Sequence, residues 1–220
     1  MDLLPRVILL DLDGTLLDTA PEFADSINHL RKGHGFSALP YNTVRNQVSK
    51  GSQKIIELAF PHVSAAHEIE ALRQEFIELY KNNIGSSTTL FPGMEEVLKS
   101  IESTGRVWGI VTNKFAALTN LLLAKLKLSQ RAACIVSGDT TPYCKPHPEP
   151  LYEAMRIMQA GPSECIYIGD DERDVIAASS AGMKAIIALY GYIDPKDKPS
   201  LWQAHESIYS PLDLLIGLER

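Results

Sequence analysis

The stretch VILLDLDGTLLDT, Val7 to Thr19, decides how this chain is read. It is apolar through Leu10, then sets Asp11 and Asp13 one residue apart and follows them with Gly14. A short, unbroken apolar run bounded by turn formers has the pattern of a strand covered on both faces. Two carboxylates crowded at its end raise each other's free energy unless something compensates them.

Working outward, RVWGIVT, AACIVSG, CIYIGD and KAIIALY repeat the short apolar run, each separated from the next by a helix-length segment. This rhythm predicts an α/β fold, a doubly wound, Rossmann-like parallel sheet with helices on both faces. One interval breaks the rhythm. From Ala20 to Leu90 there is no strand signal, and the segment reads as entirely helical. Pro21 suits a first helical turn, and Gly33 and Gly35 mark a stop. Farther on, Ile69, Leu72, Phe76, Leu79 and Tyr80 are spaced for one apolar helix face, read as packing alone. An insert this long exceeds an ordinary βα connection. The expected organisation is therefore a catalytic core of residues 1–17 and 90–220 with a small helical cap of residues 18–89. Pro92 and Gly93 open a further helix that Gly105 closes, and the proline-punctuated tail predicts a closing strand and helix at a sheet edge.

Composition narrows the partners. The 220 residues are 45% hydrophobic and 22% charged, with 21 Lys and Arg against 27 Asp and Glu, a formal charge of −6. That is enough apolar material for a proper core, and no polybasic block points to nucleic acid or anionic lipid. No basic leader or bilayer-length apolar run is seen, so the chain reads as cytoplasmic, with no membrane partner and a small-molecule substrate. Cys134, Cys144 and Cys165 lack metal spacing and suit a reducing compartment as ordinary thiols.

In an open parallel sheet, ligands bind at the carboxyl ends of the strands. Asp11 and Asp13 end the first strand, Thr112 and Asn113 the second, and Asp170, Asp171 and Asp174 follow CIYIG. If these strands are neighbours, five acids converge on one crevice. A hard divalent cation with oxygen ligands removes the repulsion, and Mg²⁺ suits a few carboxylates combined with substrate phosphate. One carboxylate can then attack phosphorus in line while the other serves the leaving oxygen. Asp11 is assigned as the nucleophile, forming an aspartyl-phosphate, and Asp13 as acid and then base. Phosphoryl transfer also needs cations and donors around the moving group. Lys145 in YCKPHPEP supplies the charge, and Thr112 and the backbone N–H of Asn113 supply phosphate contacts.

Taken together, DLDGTLLDT, VTNK, CKPHPEP and GDDERD resemble, in order and spacing, the haloacid dehalogenase superfamily of phosphatases. The insert resembles the helical cap of its phosphoglycolate phosphatase and β-phosphoglucomutase branch. That resemblance implies a metal held by Asp11, the backbone carbonyl of Asp13, and Asp170. It implies that Asp174 orders Lys145 or a metal-bound water, while the role of Asp171 stays open. Dehalogenases and phosphonatases of the superfamily lack an acid at the second position, so Asp13 implies a phosphatase or a phosphomutase. The segment VSKGSQKIIELAF and the tail are similar to phosphoglycolate phosphatases, including a subset that acts on N-acetylmuramic acid 6-phosphate. Lys50, Gly51 and Ser52 fall where such caps present a substrate-reading loop.

Blander readings stand beside these. Asp and Gly are routine at turns, Thr112 and Asn113 can cap the helix that follows, and Lys50 is of a type common at exposed helix ends. An EF-hand fits poorly, because Gly14 comes too early and a strand precedes it. The histidines are unpaired at metal spacing and read as surface or packing residues. Transfer to a sugar, as in a mutase, and a non-catalytic metal- or phosphate-binding regulator remain the competing functions.

Overall fold

The computed structural model describes residues 5–218. Six strands form one sheet: β1 (Val7–Leu10), β4 (Val107–Val111), β5 (Ile135–Val136), β6 (Cys165–Gly169), β7 (Lys184–Ala188) and β8 (Glu206–Ile208). Two further strands, β2 (Leu17–Asp18) and β3 (Thr89–Leu90), make a separate antiparallel pair. The large sheet is parallel throughout, in the order β5-β4-β1-β6-β7-β8. Val7 pairs with Val107 on one side and Cys165 on the other. From β1 the chain winds outward through β4 and β5, then returns to β6 and winds the opposite way. The reversal leaves a crevice beyond the ends of β1 and β6, the place where open α/β sheets bind ligands.

All four residues of β1 are fully buried. Their alternation splits the core, with Ile8 and Leu10 packing on one face of the sheet and Val7 and Leu9 on the other. Each such side chain contributes roughly 1.5–3 kcal/mol through removal from water. The conversion of that burial into strand structure explains why the apolar runs were legible as strands. The covering helices of the sheet are α5 (Met94–Ser103), α6 (Ala116–Lys125), α7 (Glu149–Met158) and α8 (Glu172–Ser180), and α9 (Leu215–Leu218) closes the tail against α5.

Between β2 and β3 lie α1 (Ala20–Gly33), α2 (Tyr41–Arg45), α3 (Ser52–Ala59) and α4 (Ala66–Asn83). The regular structure of the segment is helical, with loops at residues 34–40, 60–65 and 84–88, except at its last two residues. Thr89 and Leu90, expected to be helical, instead pair with Asp18 and Leu17. A ladder two residues long carries no periodicity, which is why pattern alone missed it. The ladder joins the entry and exit of the insert into one stem. Beside it, Glu22 is fully buried and accepts three backbone N–H groups, from Gly85 at 2.9 Å, Ser87 at 2.8 Å and Thr88 at 2.7 Å. Within the insert, Phe23 packs on Phe76 and Tyr80, with ring centroids 5.8 and 4.4 Å away. Among the described residues no helix is long and apolar enough to cross a membrane.

Candidate active site

The crevice opens into a cavity of about 480 Å³ between the strand ends and the helical insert. Asp11 leaves β1 directly into it. Its backbone N–H donates to the Ile168 carbonyl at 2.9 Å, extending the β1–β6 pairing one residue into the site. Asp11 Oδ1 accepts the Leu12 N–H at 2.7 Å and lies 2.9 Å from Lys145 Nζ. These bonds engage Oδ1 and leave Oδ2 as the oxygen available to attack. Burial first, and the nearby Asp174 charge second, push the Asp11 carboxyl up to about 7, although Lys145 opposes them.

Lys145 is fixed from every side. Nζ donates to the Val111 carbonyl at 3.1 Å, the Tyr167 hydroxyl at 2.7 Å and Asp174 Oδ1 at 2.7 Å. Burial disfavours its charge, but Asp11 and Asp174 outweigh that and hold the ammonium above its usual range. Asn113 builds the loop that carries it: the side-chain oxygen accepts the Lys145 N–H at 3.0 Å, and the amide donates to the Lys145 carbonyl at 2.9 Å. Thr112 Oγ1 accepts the Lys114 N–H at 3.2 Å. Neither Thr112 nor Asn113 caps α6; Asp139 accepts the Ala116 N–H at 2.7 Å instead. Asp139 lies in the loop that follows β5, the strand paired beside β4.

Four of the five acids expected at the crevice, Asp11, Asp13, Asp171 and Asp174, line the cavity, and Asp170 stands beside Asp11; three of the five form a tight cluster. Asp11, Asp170 and Asp174 offer oxygens within 4.8 Å of one another, and all three residues are buried. Asp13 turns aside to Lys114 and Thr19. Asp171 turns to cap α8, accepting the Arg173 N–H at 3.0 Å and its Nε at 2.8 Å. Burial alone would raise the Asp171 carboxyl, but the Arg173 bonds and charge win and hold it below its usual range. Both oxygens of Asp174 are also engaged, Oδ1 by Lys145 and Oδ2 by the Asp171 N–H at 3.0 Å. Asp170 accepts from Thr15 at 3.0 Å, from Ser49 at 2.8 Å and from the Tyr192 N–H at 2.8 Å. Burial, then Asp11 and Asp174, push its carboxyl well above the ordinary range.

This donor set fits a hard divalent cation. It is made of oxygens only and brings three buried carboxylates together, and the Asp13 carbonyl lies near Asp170, since Ser49 Oγ donates to both, at 3.3 and 2.8 Å. The close approach depends on Gly14, whose φ is +90° and where a Cβ would stand 2.1 Å from Asp170 Oδ2. Any other residue would displace the carboxylate.

Lys50, Gly51 and Ser52 line the cavity, as do Phe76 and Tyr80 of the apolar stripe. Lys50 pairs with Asp197 at 3.1 Å. The stripe thus does more than pack the insert, since two of its rings form a cavity wall. Residues that motif reading passed over complete the site: Lys114, Ser49, Arg173, and Tyr167 behind Lys145. Lys114 follows Thr112 and Asn113 within VTNK, Arg173 lies inside GDDERD, and Ser49 precedes Lys50, so adjacency to a motif was the available signal for all three. Of the three free cysteines, Cys134 and Cys165 are buried and Cys144 is exposed.

Residues 8–188 match the family model described as haloacid dehalogenase-like hydrolase. A phosphoglycolate phosphatase of Xanthomonas campestris pv. campestris (strain 8004) is 42% identical over 210 residues, covering 96% of this chain and 95% of its own. An N-acetylmuramic acid 6-phosphate phosphatase of Pseudomonas putida is 36% identical over 209 residues, covering 95% and 94%. Among solved structures, a predicted phosphoglycolate phosphatase from Haemophilus somnus 129pt superposes with a TM-score of 0.85 at 25% identity, covering 96% of each chain.

Proposed function

We infer the function from the premise that this chain belongs to the haloacid dehalogenase-like hydrolase family. It is a phosphatase, and the substrate is a small phosphate monoester of the phosphoglycolate type. The observation that carries the reading is the Asp11 carboxylate at the sheet reversal, lining the cavity with Oδ1 fixed by Leu12 and Lys145. A nucleophile held by one oxygen is aimed by the other, which is the orientation in-line attack needs.

Asp11 Oδ2 forms a bond to phosphorus as the ester oxygen departs, giving an aspartyl-phosphate. Asp13 gives its proton to the leaving alkoxide. Water then attacks the phosphorus of the acyl phosphate and loses a proton to Asp13, which returns Asp11 and releases phosphate. Lys145, kept charged by Asp174, lies against the transferring group and neutralises its equatorial oxygens. Thr112 and the Asn113 N–H are assigned to the same oxygens. Asp11, Asp170 and the Asp13 carbonyl are the groups that would hold Mg²⁺, which when bound supplies positive charge to the phosphoryl group. The helical cap, residues 18–89, covers the cavity and excludes bulk water, with Lys50, Gly51 and Ser52 on its substrate side.

Asp11→Asn tests the reading. Mg²⁺-dependent phosphate release from phosphoglycolate should fall roughly 10⁴-fold or more while the circular dichroism spectrum is unchanged. A variant that retains a tenth of the activity sinks the assignment. A side-by-side comparison of kcat/KM should favour phosphoglycolate over N-acetylmuramic acid 6-phosphate.

A further inference from the structure

Asp13 must lose a proton and regain it in each cycle, so whatever holds its carboxylate controls both halves of the reaction. That group is Lys114. Nζ lies 3.0 Å from Asp13 Oδ1 and 3.1 Å from Oδ2, and the Thr19 hydroxyl donates to Oδ1 at 2.6 Å. The Lys114 side chain is only 5% exposed, although lysine is ordinarily a surface residue. Its ammonium lies 4.8 Å from the centre of the Phe23 ring and 4.7 Å from that of Tyr80. Aromatic faces attract a cation while keeping water from it.

The backbone beneath is equally fixed. The Lys114 N–H donates to Thr112 Oγ1, and its carbonyl accepts the Gly138 N–H at 2.9 Å and the Thr119 hydroxyl at 3.3 Å. A core loop thus delivers the ammonium, two rings of the helical insert enclose it, and it meets the carboxylate nearest the leaving group. Its desolvation has a single compensating carboxylate among the described ion pairs, that of Asp13. A lysine serving only as packing would not be buried against the acid with both oxygens engaged.

We propose that Lys114 is a positioning residue for proton transfer, acting through Asp13; this rests on the acid and base role given to Asp13 above. Oδ1, shared by Thr19 and Lys114, is the anchored oxygen. Oδ2, with the single longer contact, carries the proton. As the ester P–O bond breaks, its electron pair goes to the leaving oxygen, which takes the proton from Oδ2. In the second half, the water that bonds to phosphorus returns a proton to the same atom, and the acyl P–O electron pair returns to Asp11. Lys114 makes no bond to substrate in either step. It keeps the carboxyl from rotating away, so its loss is felt wherever a proton must move and spares a step that needs none.

Lys114→Met tests this, since methionine fills the aromatic cage at similar length without charge. Two esters are compared with Mg²⁺ supplied: an alkyl phosphate, whose leaving oxygen needs a proton, and p-nitrophenyl phosphate, whose leaving group departs as the anion. For the alkyl ester kcat/KM should fall roughly 100-fold, and for the aryl ester less than about tenfold. Because the aspartyl-phosphate must still be hydrolysed with the help of Asp13, rapid mixing with the aryl ester should show a burst of nitrophenolate followed by a slow steady rate. Lys114→Arg should recover part of the alkyl activity. Equal losses for both esters without a burst, or no loss for either, overturn the inference and leave the phosphatase reading standing. If the unsubstituted enzyme hydrolyses neither ester, the reading and the inference fall together.

Discussion

At the floor of the cavity, Lys145 has a side chain 3% exposed, donates to the Asp174 carboxylate at the start of α8, a phenol and a carbonyl of the sheet, and pairs with Asp11 at the end of β1. On the wall, Lys50 keeps 29% of its side chain exposed and pairs with Asp197, in the loop that follows β7. Both are lysines in ion pairs of about the same length. The floor pair cannot open without leaving a charge in a dry site, where the cost is several kcal/mol. The wall pair opens into water, where the Coulomb energy is small and screened. The cavity thus combines a floor whose charges are locked in burial with a wall held by a weaker, water-exposed contact.

The contrast can be broken most severely at the floor. Lys145→Met leaves Asp11 and Asp174 facing each other without a cation, and urea denaturation should show a loss of about 3 kcal/mol together with loss of activity. A variant as stable as the parent would mean that the floor is not held by this charge. At the wall, Lys50→Met should change stability by less than about 1 kcal/mol and act through KM with kcat nearly constant. A larger destabilisation would place that contact among the supports of the fold. The finest test is Tyr80→Phe. The Tyr80 hydroxyl is buried and has no hydrogen-bond partner among the described residues. Its removal should leave stability unchanged or raise it by about 1 kcal/mol, because a buried polar group without a partner is a cost. A clear loss in thermal melting would show that the hydroxyl is satisfied.

How much of this was legible follows from the range of each interaction. The five apolar runs became five strands because burial on both faces is written in consecutive residues, and β8 and α9 lie where the tail suggested them. The acids of DLDG and GDD were found because a sheet reversal brings β1 and β6 together whatever their side chains do afterwards. Side-chain direction was not legible. Asp13 and Asp171 sit in the right motifs but turn toward Lys114 and Arg173, partners chosen by local space. Ser49 lies 121 positions from Asp170 and Lys114 lies 101 from Asp13, and no periodic signal connects residues that far apart. The two-residue stem failed for the opposite reason: it is too short to have a period.

Glu22 ties the way out of the helical insert to the way in. A domain hung on two independent strands of chain has two places to bend, and each could swing or twist by itself. With Gly85, Ser87 and Thr88 all donating to one carboxylate on the first helical turn after β2, the two strands turn together. The tie predicts that any swing of the proposed cap is a rotation about a single axis running along the stem, which hinge analysis of two conformers would check. A one-axis door returns to the same frame each time it shuts, so such a swing would bring Ser49 back to Asp170 and Lys50 back to Asp197 without a search over orientations.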